Sequence, residues 1–178
     1  FHNFRHASDV VLTVACLIRT VEADHPDVFT DHVMSCSLLI AALAHDTEHP
    51  GVMNPYLVAV NHPIALALGE SPKAVLENHH AKVALALLDR PELNFLSDMS
   101  SLDRSHFVEL IRTHVLSTDV TTTMGAARKF HAPRTSYEEV ERIEQKARRA
   151  SDAGELTWKP PAADVMCLII KAADISNP

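Results

Sequence analysis

Apolar residues along this chain recur at three- and four-residue steps almost throughout, and strand-type alternation never lasts long enough to count. Residues 3–23 carry Val10, Val11, Val14, Leu17, Ile18 and Val21 at that spacing, which predicts an amphipathic helix. A second helix is predicted to start after Thr30 or Asp31, since either side chain can accept a hydrogen bond from a first helical turn. It runs through Val33, Leu38, Leu39, Ala42 and Leu43 and is apolar on nearly every side, so it is expected to be buried. Its end is placed near His49-Pro50-Gly51, because proline disfavours helix at the residue before it and glycine permits a turn.

Short helices are predicted at 53–60 and 63–68, followed by a break at Glu70-Ser71-Pro72. A longer helix covers 73–88 and stops near Pro91; another spans about 103–117, with Ser101 or Asp103 as its cap. Ser136-Tyr137-Glu138-Glu139 has the form of a capping box. Residues 141–149 are dense in both signs of charge, however, and the whole stretch 125–160 reads as an exposed excursion without chemistry. Pro160-Pro161 closes it, and 163–173 form a last buried helix. The expected class is all-α, a compact multi-helix domain.

Composition sharpens that picture. Four glycines and few aromatics among 178 residues suit helices better than a sandwich or barrel. A hydrophobic share of 47% is enough for one domain with a core. The net charge of −7 and the lack of any Lys/Arg block argue against a nucleic-acid surface. The longest apolar run, residues 37–44, is far too short to cross a bilayer, so no membrane contact is expected within this stretch. Cys16, Cys36 and Cys167 lie in apolar stretches and form no metal-type pair; they are read as buried free thiols of a reducing, cytoplasmic compartment. The chain opens at Phe1 and stops at Pro178 directly after an apolar run, which leads us to expect that 1–178 is part of one domain, truncated at both ends.

The chemistry concentrates in the twelve histidines and a few acids near them. His2 and His6 lie four residues apart, as do His45 and His49, and residues at that spacing share a helix face. Asp46 follows His45, Glu77 precedes His79-His80, and Asp174 ends an apolar run. A carboxylate at the end of a buried helix needs a partner, because its desolvation is costly. A divalent metal would satisfy Asp46, Asp174 and neighbouring imidazoles together. Imidazole suits zinc, whereas carboxylate and water suit magnesium or manganese. His6, His45, Asp46 and Asp174 therefore form a candidate mixed site.

Plainer readings stay open at this point. Asp46 can be a polar residue at a helix C-terminus, and Asp174 a cap or a partner of Lys171. His25, His32, His62, His106, His114 and His131 are read as hydrogen-bonded core residues. His45-Asp46-x-x-His49 also resembles the His-Glu-x-x-His of metalloproteases, but its aspartate is one methylene shorter and better suited to bind metal beside His45 than to act as a base.

The separated histidine His6, the doublet His45-Asp46 and the distant Asp174 resemble the HD superfamily of metal-dependent phosphohydrolases. Longer strings narrow the resemblance: His2-Asn3-x-x-His6, AALAHDTEHPG at 41–51, VLENHH at 75–80, LSTD at 116–119 and IIKAADISNP at 169–178. In that order and at similar spacing they are similar to the catalytic domain of class I cyclic-nucleotide phosphodiesterases. The resemblance covers the chain except for 125–160. It departs from the family pattern at Phe1, where many members have tyrosine, at 68–72, where a Tyr-Asn-Asp string is usual, and at Val120, where methionine is common.

The resemblance implies an all-helical fold with two metals at the floor of a pocket. His6, His45, Asp46 and Asp174 match the family's ligands of the tighter metal, usually zinc, and Asp46 the bridge to a second, usually magnesium or manganese. His49 and Glu77 match groups that hold waters of the second metal. His2 matches the proton donor to the leaving group, and Asn177 a position lining the nucleotide pocket. His2, Asp46, Asp174 and Asn177 would then contact the substrate. The implied reaction is hydrolysis of cAMP or cGMP to a 5′-monophosphate by a metal-activated hydroxide, with other phosphohydrolase chemistry or nucleotide binding without turnover as alternatives.

Overall fold

The computed structural model describes residues 2–26, 28–29, 31–69, 73–119 and 162–176. Among them are seven helices and no strand, the all-α class that the periodicity predicts. The predicted excursion at 125–160, together with His131 and Asn177, lies outside the described residues.

The first helix, α1 (Phe4–Asp24), starts where Asn3 accepts hydrogen bonds from the amides of Arg5 at 2.9 Å and His6 at 3.1 Å. It buries His6, Ala7, Val10, Val14 and Ile18, the three- and four-residue stripe of an amphipathic helix. Asp31, one of the two expected caps, opens α2 (His32–Ala44) by accepting from Val33 N at 2.8 Å. The short α3 (Asn54–Ala59) and α4 (Pro63–Leu66) each carry proline in the first turn, where no intrahelical donor is lost. They are followed by α5 (Val75–Leu88), α6 (Ser101–Ser117) and α7 (Ala162–Ser176). The cap of α6 is Ser100, not the expected Ser101 or Asp103; its hydroxyl accepts from Asp103 N at 3.2 Å, so the helix starts a residue or two early.

Helix α2 lies at the centre, packed against α1, α5, α6 and α7. Leu38, Ala41 and Ala42 of α2 meet Val10 and Val14 of α1, Ile111 and Val115 of α6, and Met166, Ile170 and Ala173 of α7 in one core. Alanines at the crossing let the helices approach closely enough that residues at their ends can share a site. A smaller cluster of Leu57, Ala65, Val75 and Leu76 fixes α3 and α4 to the start of α5.

Three expectations of burial need correcting. Helix α2 is apolar nearly all round yet leaves Cys36 and Leu43 exposed, because its neighbours cover only part of its circumference. Cys16 is exposed and Cys167 only half-buried, so the three free thiols are not core residues; Cys16 falls between the buried positions Val14 and Ile18 of α1. Of the five described histidines assigned to the core, His25, His32 and His106 are exposed. His62 instead accepts from Ile64 N at 3.3 Å to open α4, and His114 alone is fully buried. No helix among the described residues is long and apolar enough to cross a membrane.

Candidate functional site

Helix α2 ends at Ala44, five residues before the expected stop. His45 folds its ring back, with Nδ1 donating to Ala42 O at 2.8 Å. The chain then turns through Thr47 N to Ala44 O and His49 N to Asp46 O, both 3.1 Å. Glu48 takes a φ of 59°, a left-handed conformation that reverses the chain direction. His45 and His49 therefore do not share a helix face, and the turn sends them to two different groups.

In the first group, His45 Nε2 lies 3.2 Å from Asp174 Oδ1 and 3.3 Å from Asp46 Oδ2. His6 Nε2 lies 3.2 Å and 3.4 Å from the same two oxygens. One donor atom from each of His6, His45, Asp46 and Asp174 fits within 4.8 Å of the others, and both imidazoles are buried. Three helices contribute: α1 gives His6, the end of α2 gives His45 and Asp46, and α7 gives Asp174. The four residues singled out as candidate ligands, 168 positions apart in sequence at the extremes, thus converge.

The donor chemistry fits a divalent cation. With His45 Nδ1 committed to a carbonyl, its Nε2 faces two carboxylates. A lone pair there meets only negative oxygens, so either a proton or a metal must lie between them. Burial pulls the His45 pKa down, but hydrogen bonds to Asp174 and Asp46 and their charges overcome it and push it up to about 10. For Asp46, burial works against the charge, and the His45 and His2 contacts outweigh it, holding the carboxyl below the usual carboxylate range. The two carboxylates thus favour positive charge at this point, which a proton or a divalent metal would supply.

The second group is His2, Asp46 and His49, again within 4.8 Å. His2 precedes α1 instead of lying on it, so it does not share a helix face with His6; their rings are 6.1 Å apart and perpendicular, at 87°. Its Nδ1 nevertheless reaches Asp46 Oδ2 at 2.6 Å, and its ring stacks on His49 at 3.6 Å and 9°. Asp46 is the residue common to both groups. Burial, then the nearby His2, lowers the His49 pKa.

Both groups open onto a cleft of about 480 Å³, whose walls include Asn54, Glu77, His80 and Asp119. Glu77 lies in the first turn of α5, where burial raises its pKa against the hydrogen bond it accepts from Asn54 Nδ2 at 3.0 Å. His80 Nδ1 donates to Thr47 O at 2.7 Å, tying α5 to the reversed turn, and burial lowers its pKa to about 4. His79 Nε2 meets Glu48 at 3.2 Å across the same junction.

Reading the sequence alone missed Asn54 and Asp119 as parts of this cleft and noted His80 without giving it a role. His80 and Asp119 sit inside the strings VLENHH and LSTD, and buried titratable side chains there were the available signal. Asn54 offered no such signal, because its partners lie 22 and 23 residues away in sequence.

The sequence profile of the 3′5′-cyclic nucleotide phosphodiesterase family matches residues 1–178. Over 178 residues the chain is 29% identical to the probable 3′,5′-cyclic-AMP phosphodiesterase pde-4 of Caenorhabditis elegans, covering 100% of this chain and 24% of that protein. Over 125 residues it is 34% identical to 3′,5′-cyclic-AMP phosphodiesterase 4C of Mus musculus, covering 70% of this chain and 18% of that protein. Among solved structures it resembles the phosphodiesterase domain of Salpingoeca rosetta rhodopsin phosphodiesterase, with a TM-score of 0.76, 27% identity and coverage of 100% of this chain and 48% of that one. The chain thus spans about a quarter or less of the length of these curated relatives.

Proposed function

The chain belongs to the 3′5′-cyclic nucleotide phosphodiesterase family, and from that premise we propose that its protein hydrolyses 3′,5′-cyclic nucleotides to 5′-nucleoside monophosphates, with cAMP the first substrate to try and cGMP the second. The two curated relatives are both named as cyclic-AMP phosphodiesterases, which supports that order. The observation that carries the reading is the convergence of His6, His45, Asp46 and Asp174 beside His2 at one cleft.

The cofactors proposed are two divalent metals, zinc with magnesium or manganese. When bound, they supply a water acidic enough to attack near neutral pH and positive charge opposite the phosphate. His6, His45, Asp46 and Asp174 would hold the first, and Asp46, common to both groups, would also face the second. Glu77 and His49 line the cleft and would hold that metal's waters, Glu77 as an acceptor and His49, whose Nδ1 takes the Gly51 amide at 3.0 Å, through its Nε2–H. The O3′ alkoxide is a poor leaving group and needs a proton. His2 would supply it as the imidazolium: Nδ1–H donates to Asp46 at 2.6 Å, which orients the ring, and the Nε2 proton goes to O3′, leaving the neutral ring. Asn177 is proposed to line the nucleotide pocket. The net acidity of the chain is no obstacle to an anionic substrate, because metal charge sets the local field.

Hydrolysis of cAMP and cGMP by the full-length protein with magnesium or manganese tests this. Cleavage to the 5′-monophosphate, abolished by EDTA and reduced at least about a hundredfold by Asp46→Ala, is expected. A folded, metal-loaded protein that cleaves neither nucleotide would overturn the reading.

A further inference from the structure

Helix α5 starts without a local cap. Its N-cap residue, Ala74, lies at φ 48° and ψ 51°, a left-handed conformation, and offers no side-chain acceptor. The first-turn amides of a helix need acceptors when water cannot reach them, and Leu76 is buried. The acceptor comes from another element: Asn54, at the start of α3, takes the Leu76 amide on Oδ1 at 2.8 Å. The same side chain gives its Nδ2 to Glu77 Oε2 at 3.0 Å. A single amide thus satisfies the backbone of α5 with one end and fixes the Glu77 carboxylate with the other.

That double contact requires an amide. Aspartate or serine in the same place offers an oxygen to Leu76 N, but an ionised aspartate has no proton for Glu77 and serine is too short to meet both. Asn54 is half-buried and Glu77 is half-buried beside it, both on the wall of the cleft. Without the Nδ2 donor, the Glu77 carboxylate would be free to rotate or to take up a proton, since burial already favours its neutral form. Asn54 also belongs to the segment that follows the reversed turn carrying Asp46 and His49, so it couples the position of α5 to that turn.

We propose that Asn54 is a positioning residue which, through its bridge from Leu76 N to Glu77, holds the Glu77 carboxylate on the cleft wall, where it would receive the second metal's waters. The role rests on the phosphodiesterase reading of the cleft. It differs from a purely structural cap in acting through Glu77, and that difference is measurable.

Full-length protein carrying Asn54→Ala, Glu77→Gln or both is titrated with Mn²⁺ alone, with the free ion followed by electron paramagnetic resonance, beside thermal melts. Either single change is expected to weaken Mn²⁺ binding about tenfold, the lower range for residues that orient a metal's surroundings. The double variant is expected to be no weaker than Glu77→Gln alone, to within about twofold, because the two residues act as one unit. Ala74→Gly, which relieves the left-handed backbone, is added to Asn54→Ala to recover the melting temperature. Manganese affinity is expected to stay low in that background. Additive losses in the double variant, or an affinity that returns with the melting temperature, would reduce Asn54 to a cap and overturn the proposal. Failure of the phosphodiesterase reading shows elsewhere, as wild-type protein that binds Mn²⁺ but cleaves no cyclic nucleotide.

Discussion

His45 and His114 are equally deep in the protein, 1% and 0% exposed, yet their surroundings drive them in opposite directions. Burial lowers the pKa of both. At His114 nothing opposes it and the ring is pushed down to about 4. Neither ring nitrogen of His114 has a hydrogen-bonding partner among the described residues. At His45 two carboxylates reverse the sign and raise the pKa to about 10. An imidazole with no partner among the described residues is a net cost to the burial of α6. An imidazole facing Asp46 and Asp174 is a place where positive charge is wanted. Depth alone therefore does not mark a functional histidine; what its second nitrogen faces does.

Replacing each ring by leucine gives the largest test of that contrast. In His45→Leu the metal group loses a donor, and the full-length protein is expected to bind its tighter metal at least about a hundredfold more weakly. In His114→Leu metal affinity and hydrolysis are expected to be unchanged, while stability rises by about 1–2 kcal/mol as an unsatisfied buried polar group is removed. Calorimetric metal titration and denaturant melts at neutral pH read both. A His114→Leu protein with damaged metal binding would mean that the two buried rings are not independent.

Acid sensitivity is the next effect in size. His80 and His114 have folded pKa values pushed to about 4 from an ordinary 6.5. Between those values the unfolded chain takes up protons that the folded protein refuses. The share of stability these two rings carry is thus intact above about pH 6.5 and lost as pH falls towards 4, by a few kcal/mol for each ring at the lower end. Melts from pH 7 to 4.5 are expected to show a steep decline, shallower in His114→Leu by the share of one ring. A slope untouched by that substitution would remove His114 from the account.

The helices were legible from their periodicity, and Asp46 and Asp174 as carboxylates that end apolar runs; His6 and His45 joined them as candidates through histidine spacing and the family strings. The turn after α2 was not legible in the same way. Pro50-Gly51 was a visible stop, but the actual stop at Ala44 is set by the His45 ring returning to Ala42 O and by Glu48 adopting a left-handed backbone, both tertiary choices. The same holds for Asn54, whose partners are 22 and 23 residues away, and for the cysteines, whose exposure depends on which helix covers which side.

The smallest effect separates position from stability. Asn3 and Ser100 are both N-caps, of α1 and α6, and alanine at either is expected to cost about 1 kcal/mol. Their acceptors differ in what they hold. Ser100 takes the amide of Asp103, on an exposed turn away from the cleft. Asn3 takes the amide of His6 itself at 3.1 Å, and lies between the two rings that approach Asp46 from either side. Fraying the first turn of α1 loosens His2 and His6 together, whereas fraying α6 loosens neither. Asn3→Ala and Ser100→Ala should therefore lower the melting temperature by similar amounts, while only Asn3→Ala weakens metal binding, by a few-fold. Equal metal affinity in the two variants would show that α1 holds its histidines through the core contacts of Val10 and Val14, and that its cap contributes stability alone.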